Sequence, residues 1–185
     1  MKRSLNPTGP AMAGAVLAAF WLLLIASIWD KSMTNDEGGH VTAGYTYWRF
    51  NDYRIDPENG NLPQRLMALP LMLGFQFPPV TSPSWRNSEQ WDLADEWFHQ
   101  MGHSVEAMLR RGRAAAALVA VILGAVVWWW SRRLFGPAGG LLSLLLYGLS
   151  PTILANGALM TSDMTAALFF LVSTLGVWAV LHRLS

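Results

Sequence analysis

The run AAAALVAVILGAVVWWWS, residues 114–131, followed at once by Arg132 and Arg133, decides the fold. Its eighteen residues carry no charge. A helix crossing about 30 Å of hydrocarbon at 1.5 Å rise per residue needs about 20 apolar residues. Trp128, Trp129 and Trp130, backed by arginine, form the aromatic belt expected where a span meets the membrane surface. Three more uncharged runs flank this one: 11–29, 136–162 with Pro151 inside it, and 164–181. The sequence therefore predicts an all-α integral membrane protein with about four spans, near 11–29, 114–131, 138–158 and 164–182. A long helical loop, 30–113, joins the first span to the second. The whole chain has 185 residues and only 14% charged residues, against about 25% in a soluble domain.

The net charge of +1 is unevenly spread. All twelve carboxylates fall between Asp30 and Asp163. Lys2, Arg3, Arg132, Arg133 and Arg183 occupy the two tails and the short loop after the second span. Lys and Arg close to span ends favour the cytoplasm. Both termini and the short loop are thus expected in the cytoplasm, and loop 30–113 outside an inner membrane. The apolar run after Lys2 and Arg3 is longer than a signal-peptide core and lacks a small-residue cleavage site, which reads as an uncleaved span. No cysteine is present, so disulfide and thiol chemistry are excluded. No glycine-rich phosphate loop, nucleophile motif or basic stripe for nucleic acid occurs.

Within the loop, Thr34 or Asn35 caps an expected helix from Asp36 to about Asn51. Val41, Tyr45 and Trp48 share one of its faces. Leu62–Phe77 is apolar but carries Pro63 and Pro70, which fits a segment lying at the membrane interface or against other helices. After a cap at Asn87 or Ser88, Trp91, Ala94, Trp97, Phe98 and Met101 form an apolar stripe. Ser104 starts a helix running through Arg113 into the second span.

Asp36 and Glu37 stand just outside the first span. Carboxylates there can take a proton from an attacking hydroxyl, or hold an acceptor or a metal. They equally suit the first turn of a helix, whose dipole favours negative charge. His40, four residues after Asp36, can share their face, which permits a divalent metal without requiring one. Asp163 is the only acid after Glu106 and reads both as a functional carboxylate and as the cap of the last helix. Arg110, Arg111 and Arg113 breach the charge bias at the outer edge of the second span. Guanidinium groups pair bidentately with phosphate, and they also snorkel to head groups. At least one, Arg110 or Arg113, should face inward if phosphate is their partner.

Taken in order, Thr34-Asn35-Asp36-Glu37-Gly38-Gly39-His40, Ala43-Gly44-Tyr45, Asp56-Pro57 and Asn61-Leu62-Pro63-Gln64-Arg65-Leu66 resemble the GT-C glycosyltransferases. The resemblance extends through the Arg132–Gly136 turn to Ser150-Pro151-Thr152 and Thr161-Ser162-Asp163. The chain more closely resembles the branch that holds the protein O-mannosyltransferases, the aminoarabinose transferase of lipid A and the bacterial phospholipid carrier-dependent glycosyltransferases. Where relatives often carry His-Pro-Pro-Leu, this chain has Asn61-Leu62-Pro63. Relatives usually have more spans, so the chain is expected to be an N-terminal part that is inactive alone. The resemblance implies inverting transfer of a sugar from a polyprenyl-phosphate carrier in the membrane to an acceptor on the external face. In that reading Asp36 is the base, Glu37 supports it or holds the acceptor, and Asp163 completes the acidic rim. Arg110, Arg111, Arg113, Arg65 and His40 would contact the substrate or the lipid phosphate, and no cofactor is required. The competing expectation is a non-catalytic membrane module that binds a lipid carrier or assembles with a partner.

Overall fold

The computed structural model describes residues 8–184, and every regular element in them is helical. Lys2 and Arg3, on which part of the expected orientation rests, lie outside the described residues. Helix α1 spans Thr8–Ile28. The loop carries α2 (Asn35–Arg49), α3 (Asn61–Ala68, continued by a 3-10 turn Leu69–Met72), α4 (Pro83–Arg86) and α5 (Gln90–Asp95, continued by a π turn Glu96–Gln100). Behind it come α6 (Val105–Gly148), α7 (Pro151–Asn156) and α8 (Asp163–Leu184).

Three helical stretches are long and apolar enough to cross a membrane: Gly9–Ile28, Val105–Gly148 and Asp163–Arg183. The longest is not one rod. Gly136 has φ 76° and ψ −175°, and Pro137 follows it. Glycine takes this conformation without a Cβ clash, and proline readily restarts a helix at its first position. The chain therefore turns back on itself. Ser131 and Ser143 place their hydroxyls 2.6 Å apart, and the Tyr147 hydroxyl donates to the Ala120 carbonyl at 2.7 Å. Partners whose numbers rise on one side and fall on the other define two antiparallel limbs, 105–135 and 137–148. The expected third span, 138–158, is correspondingly no continuous helix. Its first part is the second limb, about 18 Å long at 1.5 Å per residue. The break at Leu149-Ser150 follows from Pro151, which disfavours helix in the residue before it. The short α7 then completes the segment.

In a membrane, packing and close backbone approach hold helices together more than water exclusion does. The α1–α6 seam fits that rule. Phe20, Leu24 and Ile28 meet Ala117, Val119, Ala120 and Leu123 in one buried cluster that also takes in Ala158 and Met164. Small residues on α6 let α1 approach, and Phe20 meets the edge of Tyr147 at 5.4 Å between ring centres.

The loop folds into a helical cap with its own core. Val41, Tyr45, Met67, Leu71, Trp97, Phe98, Met108 and Met160 are buried together. Tyr45 stacks on Phe77 at 4.7 Å, and Trp97 closes on both rings. Val41 and Tyr45 take the expected buried face of α2, whereas Trp48 is exposed and donates its indole N–H to the Arg65 carbonyl at 2.8 Å. The stripe on α5 and its π turn buries Ala94, Trp97 and Phe98 but leaves Trp91 outside. Helices α2 and α3 cross at Gly44, where a methyl group would run into the Gln64 backbone carbonyl. The segment 61–73 buries Met67, Ala68 and Leu71 inward and shows Leu62, Leu66, Leu69 and Leu73 outward. An apolar outer face of this kind suits a segment at the membrane boundary.

Candidate active site

The acidic pair at the start of α2 divides its labour. Thr34 caps the helix, and both its backbone N–H and its hydroxyl donate to Glu37 Oε2, at 2.9 and 3.1 Å. This is the reciprocal capping arrangement that a Thr followed three residues later by Glu encodes. It turns the Glu37 side chain back, under the end of α1, where it is fully buried. There it meets Arg113 of α6 in a bidentate ion pair, with Nε donating to Oε1 at 2.8 Å and Nη2 to Oε2 at 2.7 Å. The backbone N–H of Met160 adds a bond to Oε1 at 3.2 Å.

Arg113 is only 2% exposed. Its remaining N–H groups donate to the carbonyls of Ile28, Lys31 and Ser32, at 3.2, 2.8 and 2.8 Å. A guanidinium has five N–H donors. All five are thus taken by protein oxygens. A buried charge pair is tolerated when geometry is good and the remaining lone pairs and protons are satisfied. That condition is met here. Burial pushes the Glu37 carboxyl up, but the Arg113 hydrogen bonds and charge, with the Thr34 and Met160 N–H groups, outweigh it and hold the group below its usual range. The pair ties together four pieces of chain: the end of α1, the start of α2, α6 and the 157–162 loop.

Asp36, one residue away, points elsewhere. It is exposed. Asp163 is also exposed and opens α8, accepting a hydrogen bond from the Thr161 hydroxyl at 2.7 Å. Asp163 lies in the first turn of α8 and is not its cap, since Ser162 accepts the Ala166 N–H ahead of it. Because Glu37 bonds to Met160, the two exposed acids sit at the same end of the bundle.

Of the three arginines, Arg113 is the one that faces inward, and its partners are protein oxygens in place of the phosphate expected. Arg110 lies over the Trp29 ring at 4.1 Å and 3.9 Å from the Asp30 carboxylate, and its Nε has no partner among the described residues. Arg111 is exposed, donates to the Leu73 carbonyl at 2.8 Å and covers Phe75. Beside Arg110 and Arg113 opens a cavity of about 610 Å³, whose wall includes Trp29, Lys31, His99 and Glu106. A smaller hollow of about 340 Å³ shares Met33 and His99 with it and reaches Asn35, next to Asp36. The two hollows are lined by groups of both signs, Lys31, Arg110 and Arg113 against Asp30, Glu106 and Asp95, with Trp29 and Trp91 among them.

His40 does not join Asp36 and Glu37. Its Nδ1 lies 3.1 Å from Asp56 Oδ2. Asp56 is buried and also accepts from Gln64 and from Asn59, the latter at 2.8 Å, while its carbonyl accepts from the Tyr47 hydroxyl at 2.6 Å. Burial, followed by the Asp56 charge, pushes Tyr47 up to about 12. This network pins the turn 52–60 onto α2. Among the described residues no three His, Asp or Glu side chains gather in a way that could hold a metal ion. Arg65 is engaged at the surface, donating to Asn61 and Tyr53 at 2.7 Å each and lying over Trp48. Asp56 and Thr34 are the residues to which sequence reasoning gave no role at the site. The Thr-x-x-Glu spacing is a readable capping signal for Thr34. Nothing local marks Asp56 as buried.

Residues 94–184 match the model of the dolichyl-phosphate-mannose-protein mannosyltransferase family. No curated protein and no solved structure matches the chain. The matched stretch holds the π turn, α6, α7 and α8, with Arg110, Arg111, Arg113 and Asp163. Asp36, Glu37, His40 and Arg65 lie ahead of it and meet it through the Glu37–Arg113 pair. The match bears out the resemblance read from the sequence: residues 94–184, just under half of the chain, are similar to the dolichyl-phosphate-mannose-protein mannosyltransferase family, which is of GT-C type.

Proposed function

We propose that the chain carries the acidic centre of a glycosyltransferase that moves a sugar from a polyprenyl-phosphate carrier to an acceptor hydroxyl on the external face, with inversion. The observation that carries this reading is the division of the acid pair. Glu37 is consumed by a buried ion pair, which leaves the adjacent Asp36 as the free carboxylate at the membrane surface. Asp36 takes the proton as the acceptor oxygen attacks the anomeric carbon and the bond to the carrier phosphate breaks. Glu37 supports it by fixing the first turn of α2, and Asp163 completes the acidic rim.

The carrier phosphate gains charge as the sugar leaves. Preorganised cations aimed at such charge are often the largest catalytic contribution. Arg110, which lines the larger cavity together with Lys31, is the arginine we assign to this, with Arg111 next to it in the chain. Arg113 acts one step back, through Glu37. His40 and Arg65 shape the acceptor side of the cap. The cap and both exposed acids lie outside the membrane in this reading, and the Gly136 reversal faces the cytoplasm, as Arg132 and Arg133 favour. The limb 105–135 then counts as the second of four crossings, and the limb 137–148 with α7 as the third.

The test is transfer by the native gene product in membranes, with a panel of polyprenyl-phosphate sugars. Asp36→Asn should abolish transfer while expression and melting temperature stay unchanged. Carrier binding without turnover in the unmutated protein would favour a non-catalytic membrane module.

A further inference from the structure

A third cavity lies at the far end of the bundle from the acidic centre. Its volume is about 890 Å³, within the range of a small-molecule site. It opens between α1, the first limb of α6 and α8, and its wall includes Gly14, Ala125, Trp129, Gly176 and Trp178, with Arg133 at its end. The 172–179 part of α8 lies roughly 14–24 Å along the helix axis from Asp163, and Arg133 about 30 Å along α6 from Arg113. A lipid whose phosphate sat at Arg133 could not present a sugar to Asp36.

Three features define what this slot accepts. Its wall is apolar and made of spanning helices, so its occupant is a hydrocarbon chain. Small residues open it: a Cβ added at Gly14 or Gly176 would meet no atom within 4 Å. Its mouth is cationic and aromatic. Arg133 lies over Trp129 at 4.1 Å. Trp130 meets Trp178 at 4.7 Å, and His182 stacks on Trp178 at 3.8 Å, with Arg183 next in the chain. No carboxylate follows Glu106 on α6 or Asp163 on α8, so nothing on those helices neutralises these groups. Basic pockets between spanning helices recruit anionic head groups, and tryptophan settles at head-group depth.

We propose that this slot binds an anionic membrane phospholipid, one acyl chain lying between α1, α6 and α8 and the phosphate at Arg133. The site is separate from that of the sugar carrier and depends only on the chain spanning a membrane. It fills the gap that the three helices leave and fixes the end of α8 against Trp130.

The experiment is native mass spectrometry of the full chain released from detergent with phosphatidylglycerol, phosphatidylcholine or undecaprenyl phosphate at equal concentration. Phosphatidylglycerol should be retained in preference to both others. Arg133→Gln should weaken its retention about fivefold, the effect of one basic residue near a charged membrane surface. Gly14→Leu with Gly176→Leu should abolish it, since leucines there enter open space, and circular dichroism should show the same helix content and melting as the unmutated chain. Equal retention of phosphatidylcholine overturns the proposal, as does preference for undecaprenyl phosphate. Retention unchanged in both variants, or no lipid retained at all, overturns it too.

Discussion

Replacing Arg113 with Leu leaves Glu37 buried beside an apolar side chain. Breaking one partner from a buried ion pair costs about 3–5 kcal/mol, because the remaining charge keeps its desolvation penalty without its compensation. Glu37 also loses two of the hydrogen bonds on its oxygens, the carbonyls of Lys31 and Ser32 lose the Arg113 donor, and that of Ile28 keeps only the Lys31 N–H. For a chain of this size about 1 kcal/mol corresponds to roughly 2–4 °C in melting temperature. The expected fall is therefore on the order of 6–20 °C, followed by thermal unfolding in detergent. The double variant Glu37→Leu with Arg113→Leu should recover part of it, since apolar replacement of both partners removes the stranded charge. The pH profile gives an independent check. Glu37 is held below its usual value near 4.5, so its contribution is complete above that value and is lost as pH falls through the lower folded one. Glu37→Gln should therefore flatten the loss of stability below about pH 4.5 while lowering stability at neutral pH. An Arg113→Leu protein melting within about 2 °C of the unmutated chain would refute the clasp, as would a double variant less stable than either single one.

Three further outcomes follow from the same geometry. Gly44→Ala should destabilise by about 1–3 kcal/mol or more, the cost of overpacking, because its methyl would collide with backbone and not with a movable side chain. Thermal melting of the purified chain checks this, and an unchanged midpoint would mean that α2 and α3 do not cross there. Asp56→Ala strands the fully buried Gln64 amide, at a cost of about 1–3 kcal/mol, and frees His40 and the exposed Asn59 from the turn. Hydrogen exchange should then speed up across 52–60 while the α1–α6 seam keeps its protection. Arg110→Gln should raise the carrier concentration needed for half-maximal transfer and lower the maximal rate, with melting unaltered. An effect on stability alone would remove Arg110 from the phosphate role.

The spans were legible because an uncharged run of that length seldom occurs outside a membrane-crossing helix, and the Trp128–Arg133 boundary marked the place where α6 reverses. Gly136 and Pro151 announced the turn and the break through their own backbone limits. Ser104 and Thr34 announced helix starts in the same local way, and Ser104 accepts from the Ala107 N–H as a cap should. What stayed hidden is long-range. Glu37 and Arg113 are 76 residues apart in the chain, and no periodicity links them. The sequence did show three arginines on the wrong side of the charge bias and so posed the question that Arg113 answers. It could not say which of the two acids would be buried, because a capping carboxylate looks the same whether it faces water or an arginine. Trp48 and Trp91 were placed on buried stripes by spacing alone. Their exposure reflects a cap built from short, turned helices, in which a stripe meets a partner over only part of its length. Asp56 was hidden for a related reason: its burial depends on Tyr47, His40 and Gln64 converging from two different helices.

The most direct measurement compares sugar transfer and melting temperature for Asp36→Asn and Glu37→Gln in the native gene product, with polyprenyl-phosphate sugars as donors. Asp36→Asn is expected to lose transfer at an unchanged melting temperature, whereas Glu37→Gln lowers the melting temperature and loses activity only in proportion to the unfolded fraction. Normal turnover by Asp36→Asn would contradict the assignment of Asp36 as the base.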